Sequence, residues 1–486
     1  MSPASSGQPR PALAYVLWLD SLTRAGWDAG PAAEQVPVAD ALGRVTADPI
    51  VARWPSPRSD CSAMDGIAVR AARLTGRGHD EGDTVRLPAG TFEWIDTGDP
   101  IPAGADTVVM REWLLQQADG GVIIIPAGLA AAPADAIAVT DARAGGDADD
   151  PASGAGAVPR GKNVRRAGED FAEGAVLVPA GRRLRPGDLA AAAAGGHTSL
   201  LAARQPVVAI IPTGDEIRPP GSRTRPGDIL DTNSLMLAAR CRQLSALPLL
   251  SEIQPDDPDA LAAEIRRCAH VADLVLVIAG SSRGRGDHAA AVLAQVGGVA
   301  VTGVAVRPGH PALLGHAKHQ GRSARSAAVG RAGIAPVIGL PGYPLATTVI
   351  FELFAAPLLA ALQGARPAVR PAHLATLDRD WSSPPGIEDW VLVTLAPSAA
   401  DGALPVATPT RRGAGSISQL ARADAWWPIP PDPTAFTAGT PVQVLPISDA
   451  PSSLFLLLSP RLTLSVRNRW RWPRFRHVSL PLSLSQ

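Results

Sequence analysis

Cysteine is scarce: Cys61, Cys241 and Cys268 are the whole complement of the 486-residue chain. Three scattered thiols cannot build a disulfide framework or a four-ligand zinc site, so neither staples this protein. Lysine occurs only at 162 and 318, and lysine and arginine together, 45, equal the 45 acidic residues. A formal net charge of zero excludes bulk attraction to a polyanion, so no nucleic-acid partner is expected. The start, "MSPASSGQPRPALAYVLWLD", lacks a basic segment followed by an apolar core, and no apolar run reaches membrane-spanning length. No signal peptide and no membrane partner are expected, and the expected location is the cytoplasm.

What is present is organised in blocks. Residues 11–48 begin with helical spacing ("ALAYVLWLDSLTRAG") and then lose it, and residues 51–130 consist of short β-like runs such as "DGIAVRAA" and "DTVVMREWLL", separated by glycine and proline. Residues 130–157 are low in complexity and read as an insertion. From 206 to 365 strand and helix patterns alternate, which predicts a doubly wound α/β domain. Asp257-Pro258 predicts a helix start, and "LATTVIFELFAAPLLAAL" a long apolar helix. Residues 366–447 return to β-like runs, and 448–486 form an atypical tail rich in Leu, Ser, Arg and Trp.

The run "LVLVIAGSSRGRGDH" (274–288) has the form of a buried strand emptying into a loop. In open α/β sheets ligands bind at that carboxyl edge. Free backbone N–H groups with Arg283 and Arg285 suit an anion, and Asp287 suits a metal ion or a helix N-terminus. Taken alone, the loop is more economically read as a solvated, capped turn. Three further loops, "TGDE" (213–216), "RPGHP" (307–311) and "GLPGYP" (339–344), are expected at the same edge, and four together predict a site. Pro341 and Pro344 would fix the last loop's shape in advance, and Gly339 and Gly342 would permit close backbone approach.

These loops also carry a resemblance. "SAMDGIAV" (62–69), "TGDPIPAGADTVVMRE" (97–112), "GKNVRRAGEDFAEGAVLVPAGRRL" (161–184), "PTGDEI" (212–217), "DTN" (231–233) and "GLPGYP" resemble the molybdopterin molybdenumtransferases, the MoeA and gephyrin E-domain family, over residues 10–446. The resemblance implies a discontinuous helical N-terminal domain (9–50 and 158–205), a β-rich inserted domain (51–157), a MogA-like α/β domain (206–365) and a small C-terminal β-barrel (366–447). It implies a homodimer that inserts molybdate into adenylylated molybdopterin and releases AMP, with Mg²⁺ as cofactor. Molybdopterin adenylyltransferase and molybdoenzymes are its implied partners. Asp65, Thr97, Glu169, Asp231 and Asp287 fall on the family's catalytic positions, with Asp231 and Asp287 as metal ligands. Gly280, Ser281, Ser282, Arg283, Gly286, Pro341, Gly342 and Pro344 fall on the substrate-binding positions, and Arg307 and His310 on the molybdate pocket.

The chain departs from the family pattern at several points. It reads "AGSS" for Gly-Gly-Val-Ser, Arg307-Pro-Gly-His310-Pro for Lys-Pro-Gly-Lys-Pro, Gly303 for a lysine, and Tyr343 for the usual Asn. These changes resemble a subgroup fused to a periplasmic-binding-protein-like domain, here with the tail in its place. The competing reading is a catalytically impaired molybdopterin-binding or scaffold paralogue. A third, the adenylyltransferase built on the α/β domain alone, is opposed by the N-terminal motifs.

Overall fold

The computed structural model describes residues 7–28, 30–74, 84–125, 159–279, 286–319, 333–365, 372–398, 403–413 and 415–447. The predicted insertion 130–157 and tail 448–486 lie outside the described residues. The chain divides into two compact units, one of residues 49–178 and 187–198, the other of the remainder.

The larger unit is built on a six-stranded sheet. Its strands are β1 (Val207–Pro212), β2 (Leu247–Leu250), β3 (Leu274–Ala279), β4 (Gly297–Thr302), β6 (Leu313–Lys318) and β7 (Ile334–Pro341), in the order β2-β1-β3-β7-β6-β4. β1, β2, β3 and β7 run parallel, as the alternating pattern predicts. β6 is antiparallel to both its neighbours, which that pattern did not foresee. Side-chain alternation explains why β1 and β3 read as continuous apolar runs. Val208, Ile210, Leu274, Leu276 and Ile278 enter one core with α1 (Pro11–Arg24) and α3 (Asn233–Gln243). Ala209, Ile211, Val275 and Val277 enter the other, with α4 (Pro258–Val271) and α5 (Gly286–Val296). Asp257 caps α4 as expected, its carboxylate accepting from Asp259 N (2.8 Å) and Ala260 N (3.1 Å).

The predicted discontinuous domain is only partly separate. Ala33–Pro37 does pair with Ser199–Ala203, joining its two pieces. Helix α1, however, packs on the α/β sheet, where buried Trp18 donates its indole N–H to Gly315 O at 2.7 Å.

The apolar helix α6 (Pro344–Leu362) contains a π-helical segment at Phe351–Ala355. Contrary to the expectation from the sequence, its length and composition would allow a membrane crossing, but it is 78% buried inside the protein and serves as a core helix.

In the same unit β8 (His373–Leu377), β9 (Glu388–Ala396), β10 (Val406–Pro409), β11 (Ala425–Ile429) and β12 (Pro441–Pro446) close into a barrel in the order β9-β10-β8-β12-β11-β9. Val391, Val393, Trp427, Ile429 and Val444 help fill it. A further short strand, β5 (Val306–Arg307), leaves the α/β sheet and pairs with β9.

The smaller unit is β-rich, as its short runs predict, and carries most of helix α2 (Pro186–Ala194). Gly66–Val69 lies between Glu93–Ile95 and Thr107–Met110, and Ile67, Val69, Val109 and Val122 form its core. A Cβ on Gly66 would stand 1.9 Å from Val109 O, so only glycine allows this strand pairing.

Candidate functional site

The order of the parallel strands reverses between β1 and β3, and the crevice at their carboxyl ends is where such sheets bind ligands. Thr213 fastens that edge, donating its N–H (3.1 Å) and hydroxyl (2.9 Å) to Ile278 O at the end of β3. Pro341, at the end of β7, stands beside Ala279. The loop after it is held before any ligand arrives. Pro341 O accepts the Thr347 hydroxyl (2.5 Å), and Gly342 O accepts Asn233 Nδ2 (2.7 Å). Pro344 then occupies the first turn of α6, where its missing N–H costs nothing. Gly339 has a different role from the one expected. A Cβ there would meet Leu313 Cβ at 3.0 Å, so this glycine serves packing between β7 and β6.

Asp231 Oδ1 accepts Ser234 N at 3.0 Å and so supports the start of α3, leaving Oδ2 outside that bond. Nearby Asp228 is bound to Arg218 (2.9 Å) and to Arg225 N (2.8 Å). Asn233, which anchors the Gly342 carbonyl, is itself buried. Gly280, Ser281, Ser282 and Arg283 lie outside the described residues; Gly286 and Asp287 open α5, with the Asp287 side chain outside them too. Among the described residues no cluster of three or more His, Cys, Asp or Glu side chains could hold a metal ion.

The "RPGHP" loop requires a correction. Thr302 lies opposite Leu313, and Leu313 opposite Gly339, so residues 303–312 do leave from the carboxyl edge. Arg307 is nevertheless not a free cation. Its Nε (3.0 Å) and Nη2 (2.5 Å) grip buried Asp389 on β9, leaving the two Nη1 N–H groups and the second on Nη2 outside that grip. Asp389 also accepts the Ser383 hydroxyl at 2.8 Å, and Arg412 Nη2 lies 3.5 Å away. His310 is exposed, and its carbonyl accepts Val304 N at 2.9 Å.

The smaller unit carries the remaining candidates. Asp65 Oδ1 accepts the N–H (2.7 Å) and hydroxyl (2.8 Å) of Thr97, which draws two expected residues together. Those bonds, led by the backbone N–H and followed by the hydroxyl, hold the Asp65 carboxyl below the ordinary carboxylate range. This is a tie across 32 positions of sequence, not the local turn motif that a solitary Asp-Gly suggests. Glu169 accepts Arg166 N (3.0 Å) and faces Arg165 (3.5 Å) on the surface.

Asn233 was legible only inside the quoted "DTN". Thr347 and Asp389 were missed, since a threonine in an apolar helix and an aspartate in a strand carry no motif.

A discontinuous β-rich region, a doubly wound domain with a preformed loop at its carboxyl edge, and a terminal barrel together define a multidomain α/β protein with a candidate ligand site at the sheet's carboxyl edge. Three family models cover it in order: the MoeA N-terminal region (domain I and II) at 14–196, a probable molybdopterin binding domain at 209–361, and the MoeA C-terminal region (domain IV) at 375–447. The chain is 31% identical over 438 residues to molybdopterin molybdenumtransferase 2 of Mycobacterium tuberculosis, covering 84% of this chain and 94% of that protein. It is 29% identical to the Bacillus subtilis molybdopterin molybdenumtransferase, covering 86% and 90%. The crystal structure of the molybdopterin biosynthesis MoeA protein from Pyrococcus horikoshii superimposes with a TM-score of 0.67 at 25% identity, covering 91% of this chain and all of that one. The chain belongs to the molybdopterin molybdenumtransferase family, and it is a transferase of molybdenum cofactor biosynthesis.

Proposed function

We propose that this chain transfers molybdate to the dithiolene of adenylylated molybdopterin and releases AMP, acting in the cytoplasm as a homodimer. The supporting observation is the loop Pro341–Pro344, fixed from two sides by Asn233 and Thr347 beside the strand-order reversal. A loop that needs no rearrangement on binding spares the ordering cost that weakens ligand affinity. The phosphates are assigned to the 280–286 segment and the start of α5, where backbone N–H groups and Arg283 suit an anion.

Asp231 fits a share in holding Mg²⁺, because its Oδ2 is not used by the Ser234 bond. One or two carboxylates with substrate phosphates and water are the usual Mg²⁺ set, and Asp287 is the second candidate. When bound there, the ion supplies charge neutralisation at the phosphoryl bond being broken. Asp65, kept ionised by Thr97, is assigned to orient water or substrate rather than to donate a proton. His310, with Arg307 Nη1, is assigned to molybdate. The pairing of Asp65 and Thr97 from one subunit with the α/β edge of the other is the reason a dimer is required.

The test is AMP release by the purified chain with adenylylated molybdopterin, Mg²⁺ and molybdate. Release that requires molybdate supports the proposal; tight substrate binding with no turnover refutes it. Mixing Asp65→Ala with Asp287→Ala subunits should regenerate one intact hybrid site. Exchanged heterodimers that stay inactive refute the shared site.

A further inference from the structure

Tyr343 projects where its neighbours are pinned. Its carbonyl accepts the N–H (2.9 Å) and hydroxyl (3.0 Å) of Thr347, while the residue is 53% exposed. The ring is buttressed on one side. A Cβ at Gly415 would fall 3.2 Å from Cδ1 and 3.4 Å from Cε1, so a glycine of the barrel segment stands where any side chain would crowd the ring. An aromatic held by a rigid backbone, backed by glycine and open to solvent over half its surface gains little from the fold itself. Its position matters. It follows Pro341 by two residues, and Pro341 stands beside Ala279 at the carboxyl ends of β7 and β3, the sheet edge where ligands bind.

We propose that Tyr343 is a specificity-determining binding residue whose open side stacks on the planar heterocycle of the substrate. This rests on the reading of the site given above. The substrate carries two flat nitrogen heterocycles, the pterin and the adenine, and either presents a π-face to a phenol ring. Such stacking is sequence- and substituent-tolerant and is lost when the ring is removed. Tyrosine gives this contact at low entropic cost because few torsions must be frozen. An asparagine at this position, as in the family pattern, offers no ring. The chain therefore offers a ring where the family pattern offers an amide.

The experiment uses the full chain and adenylylated molybdopterin, with binding followed by pterin fluorescence and turnover by AMP release. Tyr343→Leu, apolar but not aromatic, should weaken binding about tenfold, or 1.4 kcal/mol. Its KM should rise with kcat retained, because a contact made equally before and during reaction is lost. Tyr343→Phe should restore wild-type affinity, which a purely structural hydroxyl would not allow. Gly415→Val, which leaves Tyr343 in the chain but pushes on its ring, should weaken binding in the same direction. AMP and 6-hydroxymethylpterin as competitors identify the stacked ring, the one whose potency falls in Tyr343→Leu. Tyr343→Leu binding as tightly as wild type overturns this proposal and leaves the functional reading standing. Wild type failing to bind the substrate at all overturns both.

Discussion

Replacing Asp389 with asparagine isolates the tie between the oxyanion loop and the barrel. Asp389 is 3% exposed and takes three hydrogen bonds, two from Arg307 (3.0 and 2.5 Å) and one from Ser383 (2.8 Å). Asparagine keeps the size and can still accept from Ser383. It loses the charge, and its amide donors face a guanidinium that can only donate. Removing one partner of a buried ion pair typically costs about 3–5 kcal/mol, because the other charge stays uncompensated. The Arg307 side chain is 26% exposed and regains some hydration, so the expected cost lies below that range, at about 2–3 kcal/mol. Urea unfolding followed by tryptophan fluorescence reads it, since Trp381, Trp390, Trp426 and Trp427 all belong to the barrel region. A multidomain chain need not unfold in one step, so the barrel transition must be resolved from the rest. A second arm pairs Asp389→Leu with Arg307→Met, where direct contact predicts a coupling of at least about 1 kcal/mol. A shift for Asp389→Asn under about 0.5 kcal/mol, or additive losses in the cycle, would refute the reasoning.

Glu388 is buried, and loss of hydration pushes its carboxyl up from 4.5 to about 7, with the Trp390 indole and the Arg10 charge opposing the rise. The Trp390 N–H stands outside hydrogen-bonding geometry, so burial prevails. A raised carboxyl favours the fold at low pH, and that stability is lost as pH climbs from the unfolded value toward 7. Glu388→Gln should therefore flatten the fall between pH 5 and 7 and stabilise the protein by about 3 kcal/mol at pH 8; an unchanged urea midpoint across that window would count against it. Asp257→Ala removes the cap of α4 and should cost about 1 kcal/mol by denaturant midpoint, with no loss meaning the two N–H groups find water as readily. His310→Ala should raise the molybdate concentration for half-maximal AMP release about tenfold while His310→Lys keeps it low, since one charge-assisted contact is worth about 1.5–3 kcal/mol. Equal molybdate dependence in all three proteins would remove His310 from the pocket.

The elements legible in the sequence are those whose pattern is local. β1 and β3 announce themselves because strands covered on both faces need no polar alternation, and Asp257-Pro258 because cap and first turn are adjacent. The antiparallel β6, "LLGHAK", was not read as a strand, for nothing in its composition specifies direction. β5 is two residues long, too short to have a period, and its pairing with β9 joins positions 82 residues apart. That single non-local pairing decides the state of Arg307. The motif could say which residues belong together, as with Asp65 and Thr97, but not that a charge counted as available is already spent on a partner.

β5 also limits how far this chain can be treated as interchangeable parts. The α/β sheet emits, from the connection between β4 and β6, a strand that pairs with the start of β9, ahead of the stretch that β10 covers, instead of with its own sheet. A fragment cut at residue 365 would carry that strand with open N–H and C=O groups and an arginine stripped of its carboxylate. Excising the barrel at the same point would bare the matching flank of β9 to any passing strand, an invitation to self-association. A free-standing version of the α/β fold consequently needs a rewritten 303–312 segment, and a chimera that borrows only the barrel must bring its own substitute for Val306 and Arg307.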